Sequence, residues 1–269
     1  MGHEAFGTID AVGARVSPAR LGELVVVEPN IVCFTCDQCL VGRTSACRDR
    51  RSVGMNRQGA LAESLVVPSA FAWSAPPVDA SSLVCIEPLT VVETALRRVG
   101  PTDIAPALVV GLGPQGLLMT LALLRRGIEV HAIDLDPERM ALAGSLGAHP
   151  TTGEASAERF GFAVDTVGAT ASLRTTLDSL AIGGSALLLG LEGGAIDIAG
   201  ATVVRRQLRL AGSLTYDHPA DFEKTVALVA EEAVDPGLII TDEVPLEDVQ
   251  RAFESSGSAR GKTWIRIGR

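Results

Sequence analysis

Aromatic side chains are scarce in this sequence. Seven Phe, two Trp and one Tyr are spread over 269 residues, so a core must be built from Val, Leu, Ile and Ala. Long apolar runs are also lacking, since no stretch approaches the roughly eighteen residues that a membrane-spanning helix needs. No basic segment followed by an apolar run opens the chain, as a secretory signal would require. These absences predict no membrane partner and a cytoplasmic protein.

Excess positive charge is missing as well. The chain has 23 Lys and Arg against 32 Asp and Glu, a net charge of −9. Because phosphates repel such a surface, we expect no nucleic-acid partner. Apolar residues make up 47% and charged residues 20%, a composition that can bury a core. The length suits one large domain or two ordinary ones.

The order of apolar runs predicts an α/β protein. Short runs at 11–13, 24–27 and 65–67 predict strands in the first 80 residues, and helical spacing follows at 83–99. Further strands are predicted at 107–111, 129–133, 162–165, 186–189 and 208–211, with helices at 117–126 and 137–146 among them. Strands that alternate with helices favour a parallel, doubly wound sheet. A helix from 244 and a strand at 263–267 end the chain.

A glycine-rich turn follows the strand predicted at 107–111. It reads Gly111, Leu112, Gly113, Pro114, Gln115, Gly116, which fits G-x-G-x-x-G. Such a turn between strand and helix lets a pyrophosphate approach the backbone and the positive end of the helix. The pattern alone is weak in a chain with 28 glycines, and a glycine turn that binds another ligand is the alternative. Its position in a βαβ unit favours dinucleotide binding.

Asp134 ends the next predicted strand, 18 residues beyond Gly116. A carboxylate at this position can accept the two hydroxyls of the adenosine ribose. It would repel a 2′-phosphate, so the sequence favours NAD over NADP. Asp136 precedes Pro137 and is better explained as a helix N-cap.

Four of the five cysteines lie within fifteen residues. Cys33, Cys36, Cys39 and Cys47 have the spacing C-x2-C-x2-C-x7-C. Four thiolates can surround zinc in a closed tetrahedral site, which is structural rather than catalytic. An iron–sulfur cluster and unrelated free thiols are the alternatives, but the last interval is long for a ferredoxin pattern. Cys85 stands apart in an apolar run and is interpreted as a buried thiol.

These motifs, in this order, resemble the zinc-dependent medium-chain alcohol and polyol dehydrogenases. The resemblance rests on Gly2-His3-Glu4 with Gly7 and Gly13, the four cysteines, Glu87-Pro88-Leu89, the glycine turn and Asp134. It covers essentially the whole chain and points to the sorbitol, glucose and threonine dehydrogenase-like branch. It implies a GroES-like β domain at 1–90 with a zinc lobe at 33–47, a Rossmann domain at 91–242, and a return to the first domain at 243–269.

The resemblance also implies roles for particular residues. His3 and Glu87 correspond to ligands of a catalytic zinc, and Glu4 to an adjacent carboxylate that is a neighbour of the ligands or an exchangeable ligand. Asp134 and Arg139 match positions that hold the adenosine ribose. The implied reaction moves hydride from a secondary alcohol of a polyol or sugar to NAD, in a homodimer or homotetramer.

One part of the family pattern has no match. In the family a segment before the His-Glu pair carries a cysteine ligand and a Ser or Thr that begins proton transfer. We therefore expect the GroES-like domain to be incomplete at its N-terminus. Two hypotheses follow: an NAD-dependent polyol, sugar or alcohol dehydrogenase, or a catalytically inactive homologue that binds only dinucleotide and structural zinc.

Overall fold

A computed structural model describes residues 1–100, 106–152 and 158–268. Its strands are β1 (Ala5–Thr8), β2 (Leu24–Val27), β3 (Asn30–Ile31), β4 (Arg51–Ser52), β5 (Ala72–Ser74), β6 (Ala107–Val110), β7 (Val130–Ile133), β8 (His149–Pro150), β9 (Phe160–Asp165), β10 (Leu180–Leu188), β11 (Arg209–Gly212), β12 (Ile240–Pro245) and β13 (Lys262–Arg266). Its helices are α1 (Asp37–Leu40), α2 (Ala80–Val84), α3 (Ile86–Val99), α4 (Pro114–Arg125), α5 (Pro137–Ser145), α6 (Thr170–Ser179), α7 (Gly200–Arg206), α8 (Ala220–Ala230) and α9 (Val249–Ser255).

The chain divides into two compact units. The first unit contains residues 1–90, 216–259 and 263–269, and the second contains residues 91–215 and 260–262. The return to the first unit thus begins at Tyr216, whereas the sequence placed it at 243. The reason is packing: the ring of Phe222 lies 5.7 Å from that of Trp73, and His218 stacks on Phe71 at 4.4 Å.

Small antiparallel sheets organise the first unit. β1, β2 and β5 form a three-stranded sheet in that order, and the buried residues of β2 contribute to the core. β3 pairs with β4 through Asn30 opposite Ser52, and this ladder closes the loop that carries the four cysteines. The strands predicted at 11–13 and 65–67 are wrong, because neither run is paired in a strand. Val66 is 86% exposed, so it has no apolar partner that would favour a sheet.

The second unit contains a six-stranded parallel sheet. Its order is β11-β10-β9-β6-β7-β8, the doubly wound order of a dinucleotide-binding fold, so the predicted Rossmann sheet is confirmed. Buried apolar side chains fill its core: Leu108, Val110, Phe160, Ala163, Leu177, Leu180, Ala186 and Leu208. All four residues of β6 are buried, which explains the continuous apolar sequence of a central parallel strand.

The chain reverses its order across the sheet between β6 and β9. Val110 is in register with Ile133 on one side and with Asp165 on the other. The segments that follow these three residues therefore meet at one edge of the sheet, where ligands of such folds bind. The helix predicted at 83–99 is interrupted, since α2 ends at Val84 and α3 begins at Ile86.

Candidate active site and metal centres

The cysteine lobe, residues 33–47, brings its four sulfurs together. The ligand atoms of Cys33, Cys36, Cys39 and Cys47 all lie within 4.8 Å of one another. The Sγ of Cys33 lies 3.9 Å from that of Cys39 and 3.6 Å from that of Cys47. Zinc–sulfur bonds of about 2.3 Å place the corners of a tetrahedron about 3.8 Å apart. The donor type and the measured spacing therefore fit zinc.

Backbone N–H groups donate hydrogen bonds to Cys33 Sγ and stabilise its thiolate form. Cys33 Sγ accepts from the N–H of Thr35 at 3.5 Å and that of Cys36 at 3.3 Å. These hydrogen bonds lower the pKa of Cys33 to about 6. Burial and the neighbouring thiols instead raise the pKa of Cys39 to about 12. A cation among the four sulfurs would offset this cost, because metal binding requires deprotonated thiols.

Two hydrogen-bonded contacts hold the cysteine lobe to the segment before α8. The N–H of His218 donates to Thr44 Oγ1 at 2.6 Å, and that hydroxyl donates to the His218 carbonyl at 3.2 Å. The N–H of Ser45 donates to Asp217 Oδ1 at 2.8 Å. Residues 217–218 thus fix the position of the lobe within the first unit.

A second group of ligand atoms belongs to His3, Glu4 and Glu87, here named the His3 group. These atoms also lie within 4.8 Å of one another. Glu87 belongs to the first turn of α3 and is 5% exposed, while His3 and Glu4 are partly buried. Imidazole and carboxylate are both ligand types that zinc accepts, and three protein ligands suit an open site. The chain therefore gathers, from residues 84 positions apart, a group that fits a metal.

Backbone contacts position the His3 end of this group. The N–H of Ala60 donates to the Gly2 carbonyl at 2.9 Å, and the N–H of Leu61 donates to the Met1 carbonyl at 3.0 Å. Gly59 makes room for this contact, because a Cβ there would lie 2.0 Å from the Met1 carbonyl oxygen. His3 is thus anchored through its neighbours in the chain.

Tyr216 contacts the Glu87 end of the group. Its hydroxyl donates to Glu87 Oε1 at 3.0 Å, and its side chain is buried. Burial, then the negative charges of Glu87 and Glu28, raise the pKa of Tyr216 well above the usual range. The phenol therefore stays protonated and remains a donor at physiological pH.

The phosphate loop, residues 111–116, follows β6. A Cβ at Gly111 would lie 2.4 Å from Val167 Cγ2, and one at Gly116 would lie 1.9 Å from the Gly111 carbonyl oxygen. A Cβ at Gly113 would meet nothing within 4 Å. The outer two glycines thus permit tight backbone packing, and the middle one leaves the open face that a pyrophosphate needs. The first turn of α4, Pro114–Arg125, begins directly behind this face.

Asp134 lies against the phosphate loop. Its Oδ2 accepts from the Leu112 N–H at 2.6 Å, and its Oδ1 accepts from the Asp136 N–H at 2.9 Å. Asp136 caps α5 by accepting from the Glu138 N–H at 2.8 Å, so its predicted capping role is confirmed. Arg139 Nε lies 3.8 Å from Asp136 Oδ2. All predicted dinucleotide residues therefore lie near the sheet edge where β6 and β7 end.

The sequence did not predict the contacts of two polar residues, the buried Glu28 and the partly buried Thr166. In the first unit, Glu28 Oε2 accepts from Trp73 Nε1 at 2.7 Å and lies 2.8 Å from His218 Nδ1, and burial raises the pKa of this carboxyl. In the second unit, Thr166 Oγ1 donates to the Gly111 carbonyl at 2.9 Å. Glu28 gave one signal, a charged residue directly after a buried strand. Thr166 gave none.

Known proteins resemble this chain over nearly its full length. Residues 1–77 match the alcohol dehydrogenase GroES-like domain, and residues 114–231 match the zinc-binding dehydrogenase domain. The D-altritol 5-dehydrogenase of Agrobacterium fabrum is 29% identical, over 96% of this chain and 80% of the relative. The L-threonine 3-dehydrogenase of Shewanella oneidensis is 30% identical, over 97% of this chain and 80% of the relative.

A solved structure extends the similarity to the fold. The alcohol dehydrogenase rspB of Escherichia coli CFT073, in complex with NADH, superimposes with a TM-score of 0.89 at 25% identity, covering 99% of this chain and 83% of that one. The chain belongs to the family of zinc-dependent medium-chain alcohol and polyol dehydrogenases. The predicted fold class, zinc and nicotinamide cofactors, and zinc-dependent, nicotinamide-linked oxidoreductase class are thereby confirmed. No helix among the described residues is long and apolar enough to cross a membrane.

Proposed function

We propose that this chain oxidises a secondary alcohol of a polyol or sugar with NAD. In this proposal the His3 group holds a catalytic zinc and the cysteine lobe holds a structural one. The observation that carries it is the convergence of His3, Glu4 and Glu87 ligand atoms within 4.8 Å. Named relatives that act on D-altritol and L-threonine support a small hydroxylated substrate.

The proposed chemistry divides between cofactors and protein. Zinc held by His3, Glu4 and Glu87 would supply Lewis acidity toward the substrate hydroxyl, and a nicotinamide cofactor held by the phosphate loop and Asp134 would supply the hydride acceptor. The protein's own contribution is the placement of donors. Glu87 offers an oxygen where a thiolate would make the metal softer, so the set favours hard, oxygen-rich ligands. That preference supports a polyhydroxylated substrate over a simple alcohol.

The preference for NAD is assigned to Asp134. Its carboxylate is already fixed by two backbone N–H groups, at 2.6 and 2.9 Å. A carboxylate fixed in this way accepts ribose hydroxyls and repels a 2′-phosphate. Asp134 therefore contributes both affinity and discrimination.

A second candidate function is binding of dinucleotide and structural zinc without catalysis. It is supported by the composition of the His3 group, which contains no thiolate; Cys85 is fully buried and lies outside both described ligand groups. The two candidates differ in zinc stoichiometry and in turnover.

The deciding experiment measures zinc per chain and NADH formation on the same zinc-loaded protein. A panel of polyols, sugars and 3-hydroxy amino acids is offered with NAD, and NAD binding is measured by calorimetry. About two zinc ions per chain and NADH formation with at least one polyol support the dehydrogenase. One zinc, measurable NAD binding and no turnover across the panel would establish the binding protein instead.

The same proposal includes a homodimer or homotetramer in the cytoplasm. The four free thiols gathered in the cysteine lobe support a reducing compartment, where such thiols remain available to zinc. Light scattering on the eluting protein measures the subunit number directly.

A further inference from the structure

Tyr216 is the only tyrosine in the sequence, and it lies beside the His3 group. We propose that Tyr216 is a positioning residue that orients Glu87 as a metal ligand. The inference rests on the proposed function, since it assumes that the His3 group holds zinc. Its basis is the hydrogen bond of 3.0 Å from the buried phenol to Glu87 Oε1.

The phenol is held in place from both sides. Its ring packs on Phe222 with centroids 5.7 Å apart at 57°. The two residues that follow it are tied to the cysteine lobe, Asp217 through Ser45 and His218 through Thr44. Tyr216 is therefore a donor with a fixed position rather than a mobile surface group.

A fixed donor matters because a carboxylate can bind a metal in several ways. Either oxygen, or both, can coordinate, and the carboxyl plane can rotate. An O–H bond to Oε1 fixes that plane and favours coordination through the other oxygen. Partners that orient a metal ligand in this way typically change metal affinity or activity about 10- to 100-fold when they are removed.

A buried phenol also needs a hydrogen-bond partner for stability alone. That purely structural role predicts a loss of stability without a specific loss of zinc. The two roles are therefore separated by measuring zinc retention and unfolding on the same variants.

The test compares Tyr216→Phe with Ser82→Ala in the zinc-loaded full chain. The first change removes the hydroxyl and keeps the ring. The second removes another side-chain hydrogen bond of the first unit, from the buried Ser82 Oγ to Asp235 Oδ1 at 2.6 Å, and neither residue belongs to the His3 group. We expect Tyr216→Phe to release one zinc to a chelator at about 10- to 100-fold lower chelator concentration. The second zinc and the NAD dissociation constant should stay unchanged in both variants, and kcat should fall in Tyr216→Phe alone.

A spectroscopic readout makes the test independent of turnover. Because Tyr216 is the sole tyrosine, zinc loading of the unaltered protein should change the near-ultraviolet tyrosine absorbance through its bond to Glu87. Glu87→Gln should abolish that change. Adding Tyr216→Phe to Glu87→Gln should cause no further loss of zinc, because the two residues act as one unit.

Two results would overturn the inference, and they differ from failure of the proposed function. Equal zinc retention in Tyr216→Phe and Ser82→Ala, with two zinc ions in the unaltered protein, would leave Tyr216 a structural residue only. A zinc-loading spectrum without any tyrosine change would do the same. One zinc per unaltered chain without turnover would instead refute the proposed function itself.

Discussion

The two ligand groups of the first unit are assembled in opposite ways. The cysteine lobe takes all four sulfurs from residues 33–47, closed at its base by the pairing of β3 with β4. The His3 group takes its atoms from the segment before β1 and from the first turn of α3. The first group depends on a short loop, and the second depends on the folding of the whole unit. Local spacing can therefore reveal one of them, while only the fold assembles the other.

The largest expected effect is the loss of activity when the His3 group is altered. Glu87→Gln should lower kcat/KM about a thousand-fold, or about 4 kcal/mol, because it weakens the metal that polarises the substrate. The measurement is steady-state NADH formation together with zinc per chain. Glu93→Gln is the control, since Glu93 is in the same helix but pairs with Arg125 at 3.4 Å. Retained turnover in Glu87→Gln would remove Glu87 from the metal site.

A change in the cysteine lobe should instead lower the stability of the fold. Cys47→Ser should remove one zinc per chain and lower the free energy of unfolding by roughly 3 kcal/mol, because the binding energy of a structural zinc is folding energy. Denaturant unfolding and metal analysis measure both. Cys85→Ala is the control, as its thiol is fully buried and lies outside the lobe. If Cys47→Ser keeps its zinc, four-sulfur coordination is excluded.

The contact of Asp134 with the phosphate loop spans 22 residues, from Asp134 to Leu112. This separation is longer than the span of the cysteine lobe and shorter than that of the His3 group. Asp134→Gly should lower the preference for NAD over NADP about 10- to 100-fold, since the repulsion of the 2′-phosphate disappears. The ratio of kcat/KM values, or of dissociation constants, measures this. Asp136→Ser retains the helix cap and should leave the ratio unchanged. An equal change of the NAD/NADP ratio in both variants would mean that Asp134 does not bind the ribose.

The smallest expected effect tests whether the cysteine lobe is self-contained. Thr44→Val removes the two hydrogen bonds to His218 and should cost about 1 kcal/mol of unfolding free energy. The lobe should nevertheless keep its zinc, because all four ligands lie within it. Thr175→Val, whose hydroxyl bonds Ala171 in its own helix, should cost about 0.5 kcal/mol or less. Zinc loss in Thr44→Val would show that the lobe depends on residues 217–218.

The sequence predicted the second unit better than the first. The apolar run at 107–111 and the acid at 134 marked β6 and the end of β7, because parallel strands buried on both faces carry a continuous signal. The runs at 11–13 and 65–67 gave the same kind of signal and are not strands. Short apolar runs at a surface cannot be distinguished from strands without their partners.

Tyr216 had no local pattern to reveal it, and the one signal at Glu28, a charge directly after a buried strand, did not indicate its partner. Tyr216 reaches Glu87 across 129 positions, and Glu28 reaches His218 across 190. Such pairs are set by which segments pack together, which single-chain periodicity does not encode. His3 and Glu87 were paired only through the family resemblance, for the same reason.

Gly59 shows that a site can be controlled by a residue that binds nothing. Any side chain there would push against the Met1 carbonyl oxygen, at 2.0 Å from the first carbon added. A displaced Met1 would in turn shift His3, two residues later, relative to Glu87 in α3. The lack of a side chain at Gly59 thus helps to determine the position of His3, which supplies the one nitrogen ligand of the His3 group.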